Sequence, residues 1–310
     1  MNNLKQRYLA HSADQEFCQL IRTKLKSKCI GSVHSVFNKV INFQTTNGQI
    51  YSILQYEIDN GPYSLRINSI DESFSDLNIK VNDAVKFESN YLCINAFKVR
   101  MNDLKVWEPN EFKCNEKHLP AFRKNIEVFN GTVHSNGSPG GTYYYYFKNN
   151  FSSMPLYDAS VVEKELCYRI SAFLRCIQNE PEKVGFYIKK IIGFGYGLTP
   201  SGDDYLAGFI TSLTKASSYK ARFCVALIAD VLKNKQISTT DISNMMIQAS
   251  LEGKISERMN HFMECLLLHR CKERLKESIL TALSVGSMSG TDFIIGIVDG
   301  IKFSLQNGEK

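Results

Sequence analysis

One passage of the chain occurs twice. SGDDYLAGFI at 201–210 aligns without gaps on SGTDFIIGIV at 289–298, pairing Ser201 with Ser289, Gly202 with Gly290, Asp204 with Asp292, Gly208 with Gly296 and Tyr205 with Phe293. In each copy the apolar residues that follow fall at helical spacing: Leu206, Phe209, Ile210 and Leu213 in the first, Ile294, Ile297, Val298 and Ile301 in the second. Two helices therefore start the same way. A glycine inside a helix costs about 0.5 to 1 kcal/mol relative to alanine. Its repetition at Gly208 and Gly296 predicts that the two helices cross closely there, with their starts converging.

The first copy follows GFGYGLTP. Pro200 keeps Thr199 out of the helical conformation, Ser201 reads as an N-cap, and Asp204 three residues on completes a capping-box-like pair. Gly193, Gly195 and Gly197 supply backbone that a ligand can approach closely. Free N–H groups and a partial positive charge at two converging helix starts make an anion cradle. The text is not a P-loop, because no lysine follows the glycines in the required place. Asp203 is not needed by the cap. Side chains at consecutive helix positions diverge by about 100°, so Asp203 and Asp204 are not expected to share a tightly held ion; Mg²⁺ carried largely by waters and substrate phosphate is the remaining form of a metal site. Two capped, glycine-packed helices from an old duplication would give the same text without any ligand.

Elsewhere the pattern divides the chain. Leu4, Tyr8, Phe17, Leu20, Ile21 and Leu25 predict an opening helix over 3–27, and from Gly31 to about Arg100 the text turns rich in Val, Ile, Phe and Tyr. Asn47-Gly48 marks a hairpin there, and NSIDES and VNDAV mark further turns. The stretch Trp107, Glu108, Pro109 closes that region. HLPAFRKNIEVFNG then predicts a helix, SNGSPGG a flexible loop holding His134 just before it, and the four tyrosines that follow a strand or packed edge. After Tyr157 helices are predicted near 158–178, 181–192, 202–215, 219–234, 240–252, 256–268, 271–284 and 290–306. The expected fold class is α+β, with residues 1–110 as an N-terminal helix plus β-rich domain and residues 111–310 as a mainly α-helical domain carrying GLTPSGDD and SGTD.

The net charge of +6 is scattered over short clusters such as RTKLKSK and CKERLK, which read as solvated helix faces, so no nucleic-acid partner is expected. A small anionic substrate suits the excess positive charge better. The nine cysteines form no CxxC pair or metal-finger spacing and read as buried thiols. With no apolar leader in MNNLKQRYLAHSADQEF and no stretch of roughly 18 uncharged apolar residues, a cytoplasmic protein without a membrane partner is expected. His118, His261 and His269 have no companion motif, and no Ser/His/Asp constellation is certified by spacing.

GLTPSGDDYLAG, the later SGTDFIIG, the intervening STTDIS and the early GSVHSVFNKVINF resemble the AllH-like family, over most of the chain from about Gly31 to Ile301. Tyr196 and Phe194 stand where that family carries Pro and Leu. The resemblance implies a subunit of oxamate carbamoyltransferase that works with FdrA-like (AllF) and AllG-like partners. It passes a carbamoyl group between carbamoyl phosphate and oxamate or oxalurate in purine (allantoin) breakdown. Apart from the Mg²⁺ form of a site noted above, no cofactor is expected. On that reading Gly195, Gly197, Thr199, Ser201 and Gly202 hold the phosphate or carbonyl oxygen, and Ser289 and Gly290 supply the second wall. Asp203, Asp204 or Asp292 orients the amine or the loop, and His34 is a candidate because the resemblance includes it. A non-catalytic scaffold or ligand-sensing subunit, and a stand-alone Mg²⁺-dependent phosphate-handling enzyme, are the rival expectations.

Overall fold

Alternating burial builds the first part of the chain into a closed sheet. The computed structural model describes residues 8–24, 29–68, 72–151, 157–233, 238–268 and 271–305. The chain folds as two compact units, Met1–Pro109 and Asn110–Lys310.

In the first unit, β1 (Tyr8–Asp14), α1 (Gln15–Lys24), β2 (Cys29–Val36), β3 (Val40–Thr45), β4 (Ile50–Leu54), β5 (Ser64–Ile67), β6 (Ala84–Glu88), β7 (Tyr91–Ile94), β8 (Phe97–Arg100) and β9 (Lys105–Trp107) follow in order. The sheet runs β5-β4-β3-β2-β6-β7-β8-β1-β9, and β1 also pairs with β5, which closes it into a barrel. Closure leaves few unpaired strand edges. The Asn47-Gly48 hairpin forms as expected, with Gly48 at φ 87° and Thr45 N–H donating to Gln49 O at 2.9 Å. The VNDAV turn places Asn82 at φ 74°, while the NSIDES turn lies partly outside the described residues. Phe17, Phe43, Tyr51 and Tyr63 form the aromatic centre of this unit.

The opening helix is half right. Residues 8–14 are a strand, and only Gln15–Lys24 are helical; residues 3–7 and 25–27 lie outside the described residues. Asp14 makes the break: its carboxylate accepts from Phe17 N–H at the helix start and from Tyr63 and Ser64 N–H across the sheet. A buried carboxylate with three backbone donors ends the strand and caps the helix at once.

The second unit holds α2 (Leu119–Asn136), α3 (Tyr143–Asn150), α4 (Val161–Asn179), α5 (Val184–Ile191), α6 (Ser201–Lys215), α7 (Tyr219–Lys233), α8 (Asp241–Leu251), α9 (Glu257–Leu268), α10 (Lys272–Leu283) and α11 (Ser289–Leu305). The fold is α+β, as the pattern predicts. Two details differ. The tyrosine run is a helix, α3, whose four tyrosines are buried; aromatic bulk packs as well on a helix face when the surrounding helices enclose it. His134 lies in the last turn of α2, not in a loop. His269 lies outside the described residues. Seven of the nine cysteines are buried, while Cys29 and Cys271 are exposed.

α6 and α11 form the axis of this unit. Every residue from Ser201 to Leu213 and from Gly290 to Ile301 is buried. Their crossing is reciprocal: a Cβ on Gly208 would strike Phe293 O, and one on Gly296 would strike Tyr205 O. Tyr205 and Phe293 are themselves a pair of the sequence repeat, so the two helices meet about a local two-fold.

Candidate functional site

The joint between α5 and α6 turns on three left-handed glycines, Gly193 at φ 70°, Gly195 at φ 118° and Gly197 at φ 97°. It folds back onto the start of α6: a Cβ on Gly195 would crowd Ser201, and Gly202 N–H donates to Phe194 O at 2.9 Å. The helix is entered through Pro200, and Ser201 does not cap it. Its side chain turns instead toward α11. A proline at the entry already sets an extended backbone, which frees the serine hydroxyl for another use.

Asp203 and Asp204 do diverge. Asp203 Oδ1 accepts from Gly193 N–H at 2.8 Å, and its Oδ2 accepts from Thr239 Oγ1. It thereby ties the glycine joint to the start of α8. Burial raises its pKa, against the hydrogen bonds of Thr239, Gly193 and Ser243. Asp204 points toward α11, accepting from Thr199 Oγ1 at 3.1 Å. Thr199 Oγ1 lies 2.9 Å from Ser289 Oγ, so the two helix starts meet.

The meeting repeats the local two-fold in its chemistry. Ser289 of α11 favours the ionised form of Asp204 on α6, and Ser201 of α6 favours the ionised form of Asp292 on α11. Asp292 Oδ1 accepts from Thr142 N–H at 2.7 Å and from Thr142 Oγ1 at 2.6 Å. Ser201 Oγ and Asp292 Oδ2 have no partner beyond each other, although both residues are at most 1% exposed. Burial drives both carboxyls upward, Asp292 to about 7 and Asp204 well above the carboxylate range, the latter also by the charge of Asp292. The charge of Asp292 thus adds to burial in favouring the neutral form of Asp204.

A third wall was not legible in the sequence. Gly141, at φ 51°, lies so close to Asp292 and Ser201 that a Cβ there would strike Asp292 Oδ1 and Oδ2 and Ser201 Oγ. With Thr142 it closes one side of the carboxyl pair, and Gly140 lies against Met288. The only signal was two adjacent glycines before a threonine. A second missed feature is the start of α4, where Ser160 and Glu163 form a capping box. Tyr196 OH from the glycine joint donates to Ser160 Oγ at 3.1 Å, Gly140 N–H donates to Tyr157 OH at 3.2 Å, and Tyr157 OH donates to Glu163. That network links two walls of the site.

The candidate residues of the helical unit thus gather at one place: Thr199, Ser201, Asp204, Ser289 and Asp292 as side chains, Gly195, Gly202 and Gly290 as close-approach positions. Gly197 sits on the exposed part of the joint. Gly290 N–H donates to Val285 O at 2.9 Å, so like Gly202 it does not present its N–H outward. His34 belongs to the other unit, in β2, with Nδ1 3.2 Å from Ser35 Oγ. Among the described residues no group of three or more His, Cys, Asp and Glu side chains could hold a metal ion.

Fold and site together define an α+β protein in which a β-barrel precedes a helical unit, with a buried carboxyl pair between two duplicated helix starts. The chain belongs to the AllH family. Residues 191–301 match the model described as oxamate carbamoyltransferase subunit AllH, and residues 9–106 match the AllH family N-terminal domain. The family is one of carbamoyltransferase subunits, which implies partner chains. No solved structure matches the chain. No helix among the described residues is long and apolar enough to cross a membrane.

Proposed function

We propose that the chain is the subunit of a cytoplasmic carbamoyltransferase that exchanges a carbamoyl group between carbamoyl phosphate and oxamate, giving oxalurate, in purine (allantoin) breakdown, together with FdrA-like and AllG-like subunits. The reaction takes place at the paired starts of α6 and α11. The observation that carries this reading is that the family match at 191–301 covers both helix starts and both carboxyls of the buried pair. Carbamoyl transfer needs little covalent help: the phosphate must be bound, the carbonyl polarised and the attacking nitrogen placed.

In this reading the joint at Gly195, Gly197 and Thr199 and the hydroxyls of Ser201 and Ser289 form the anion-binding wall for phosphate or the carbonyl oxygen. Gly202 and Gly290 act by letting their helices pack against the preceding chain, since a Cβ on either would strike Ile191 O or Ala282 O. Asp204 and Asp292 serve the nitrogen, and Asp203 holds the joint. The reading gives the two carboxyls no resident metal to bind. The test is reconstitution: the chain with both partners should form oxalurate from oxamate and carbamoyl phosphate, and omission of the chain should abolish it. Full activity of the partners alone would make this chain a scaffold.

A further inference from the structure

The two oxygens of the Asp292 carboxyl are not equivalent. Oδ1 accepts both the N–H and the hydroxyl of Thr142, at 2.7 and 2.6 Å. Oδ2 is buried, with only the hydroxyl of Ser201 beside it. An oxygen that already accepts two donors has no place for a proton, so a proton at Asp292 comes and goes at Oδ2. That hydroxyl oxygen, Ser201 Oγ, belongs to a residue that is 0% exposed and flanks the same carboxyl under Gly141. Apart from each other these two buried polar atoms have no partner in the chain, which leaves Ser201 Oγ lone pairs and Asp292 Oδ2 able to meet a polar group from outside it.

We propose that Thr142 is a positioning residue that makes Asp292 Oδ2 the proton-accepting atom of carbamoyl transfer, with Ser201 Oγ beside it marking where the acceptor's amide nitrogen sits. The proposal rests on the carbamoyltransferase reading above. In the step, the amide nitrogen's lone pair forms the new N–C bond to the carbamoyl carbon. The C–O bond to phosphate breaks and its electron pair leaves with the phosphate. The proton of the amide N–H passes to Oδ2, the N–H pair returns to nitrogen, and Oδ2 later gives its proton to solvent. Thr142 is wholly buried at the foot of α3, so its two donors are fixed. The donors oppose burial, which otherwise pushes Asp292 upward. The titratable group facing Asp292 from α6 is Asp204, and on α11 itself Asp299 is engaged by the hydroxyls of Tyr145 and Tyr205.

The experiment compares wild type, Thr142→Val and Thr142→Ser in the assembled complex. The pH dependence of kcat is measured, and the Asp292 carboxyl is titrated directly by carbon-13 NMR of aspartate-labelled chain, with Asp292→Asn for assignment. Thr142→Val keeps the N–H donor and loses the hydroxyl, and a hydrogen bond to a charged group is worth about 1.5 to 3 kcal/mol. Both the acid limb of kcat and the carboxyl titration should therefore move up by about one pH unit, and Thr142→Ser should bring both back. If Thr142→Val does not fold, Thr142→Ala carries the same comparison. A titration at the wild-type pH, or a loss of kcat with an unmoved limb and no rescue by serine, overturns the proposal. A wild-type complex that transfers no carbamoyl group overturns the functional reading and the catalytic half of the proposal. In that case the NMR titration still decides whether Thr142 governs Asp292.

Discussion

Ser201 shows how a residue can be named correctly for the wrong reason. Spacing makes it an N-cap, but in the fold Pro200 enters the helix and the serine hydroxyl faces the carboxyl of Asp292. Ser160 holds the cap that Ser201 lacks: its Oγ accepts from Glu163 N–H at 3.2 Å, and Glu163 Oε2 accepts from Ser160 N–H at 2.9 Å. Ser160→Ala should therefore lower stability by about 0.5 to 2 kcal/mol, whereas Ser201→Ala, which removes no cap, should cost less. Denaturant melts of the two variants decide the matter. Equal losses would restore Ser201 to the cap. The carboxyls of the site were legible because the repeat aligns Asp204 with Asp292. Thr142 was not, because its contact with Asp292 spans 150 residues and nothing local in SPGGT announces it. Asp203, singled out as surplus to the cap, proves to be the tie between the glycine joint and α8.

The repeated glycines imply the crossing of α6 and α11 from the sequence alone, since a spacing repeated within one chain is a packing statement when both copies are helical. Gly208→Ala or Gly296→Ala would drive a methyl group into a backbone carbonyl of the opposite helix, which rigid backbone cannot yield cheaply. Each should destabilise by about 1 to 3 kcal/mol, or more. Gly131, inside α2, is the contrast, because a Cβ there meets nothing within 4 Å. Gly131→Ala should add about 0.5 to 1 kcal/mol by removing backbone freedom from the unfolded chain. Urea titrations of all three test this, and a neutral Gly208→Ala would contradict the close crossing. Elements with strong helical spacing after Tyr157 were legible to within three residues at each end. α3 was not, because YYYYF has no period and only its enclosure by neighbouring helices makes it helical. β1 was missed for a related reason: Tyr8 fits the helical spacing of the residues beyond it, and the deciding contacts come from Tyr63 and Ser64 in the distant sheet.

At the level of the whole chain, the break near Trp107 and the α+β class were legible from the change of period and the turn dipeptides, whereas closure of the sheet was not, since the β1–β5 pairing joins residues about fifty positions apart. Family membership spans both units, and the subunit description implies partner chains, so on the proposed reading activity is measured in the complex. Within that assembly the account stands on the carboxyl pair between the helix starts. The measurement that tests it most directly is kcat for carbamoyl transfer by the assembled complex carrying Asp292→Asn. The asparagine can still accept from Thr142 through its carbonyl oxygen, and its amide nitrogen can donate to Ser201 Oγ, so folding and assembly should survive. Loss of the proton-accepting atom should lower kcat by about 10² to 10⁴. A folded, assembled Asp292→Asn complex with kcat within a few-fold of wild type would place the chemistry elsewhere.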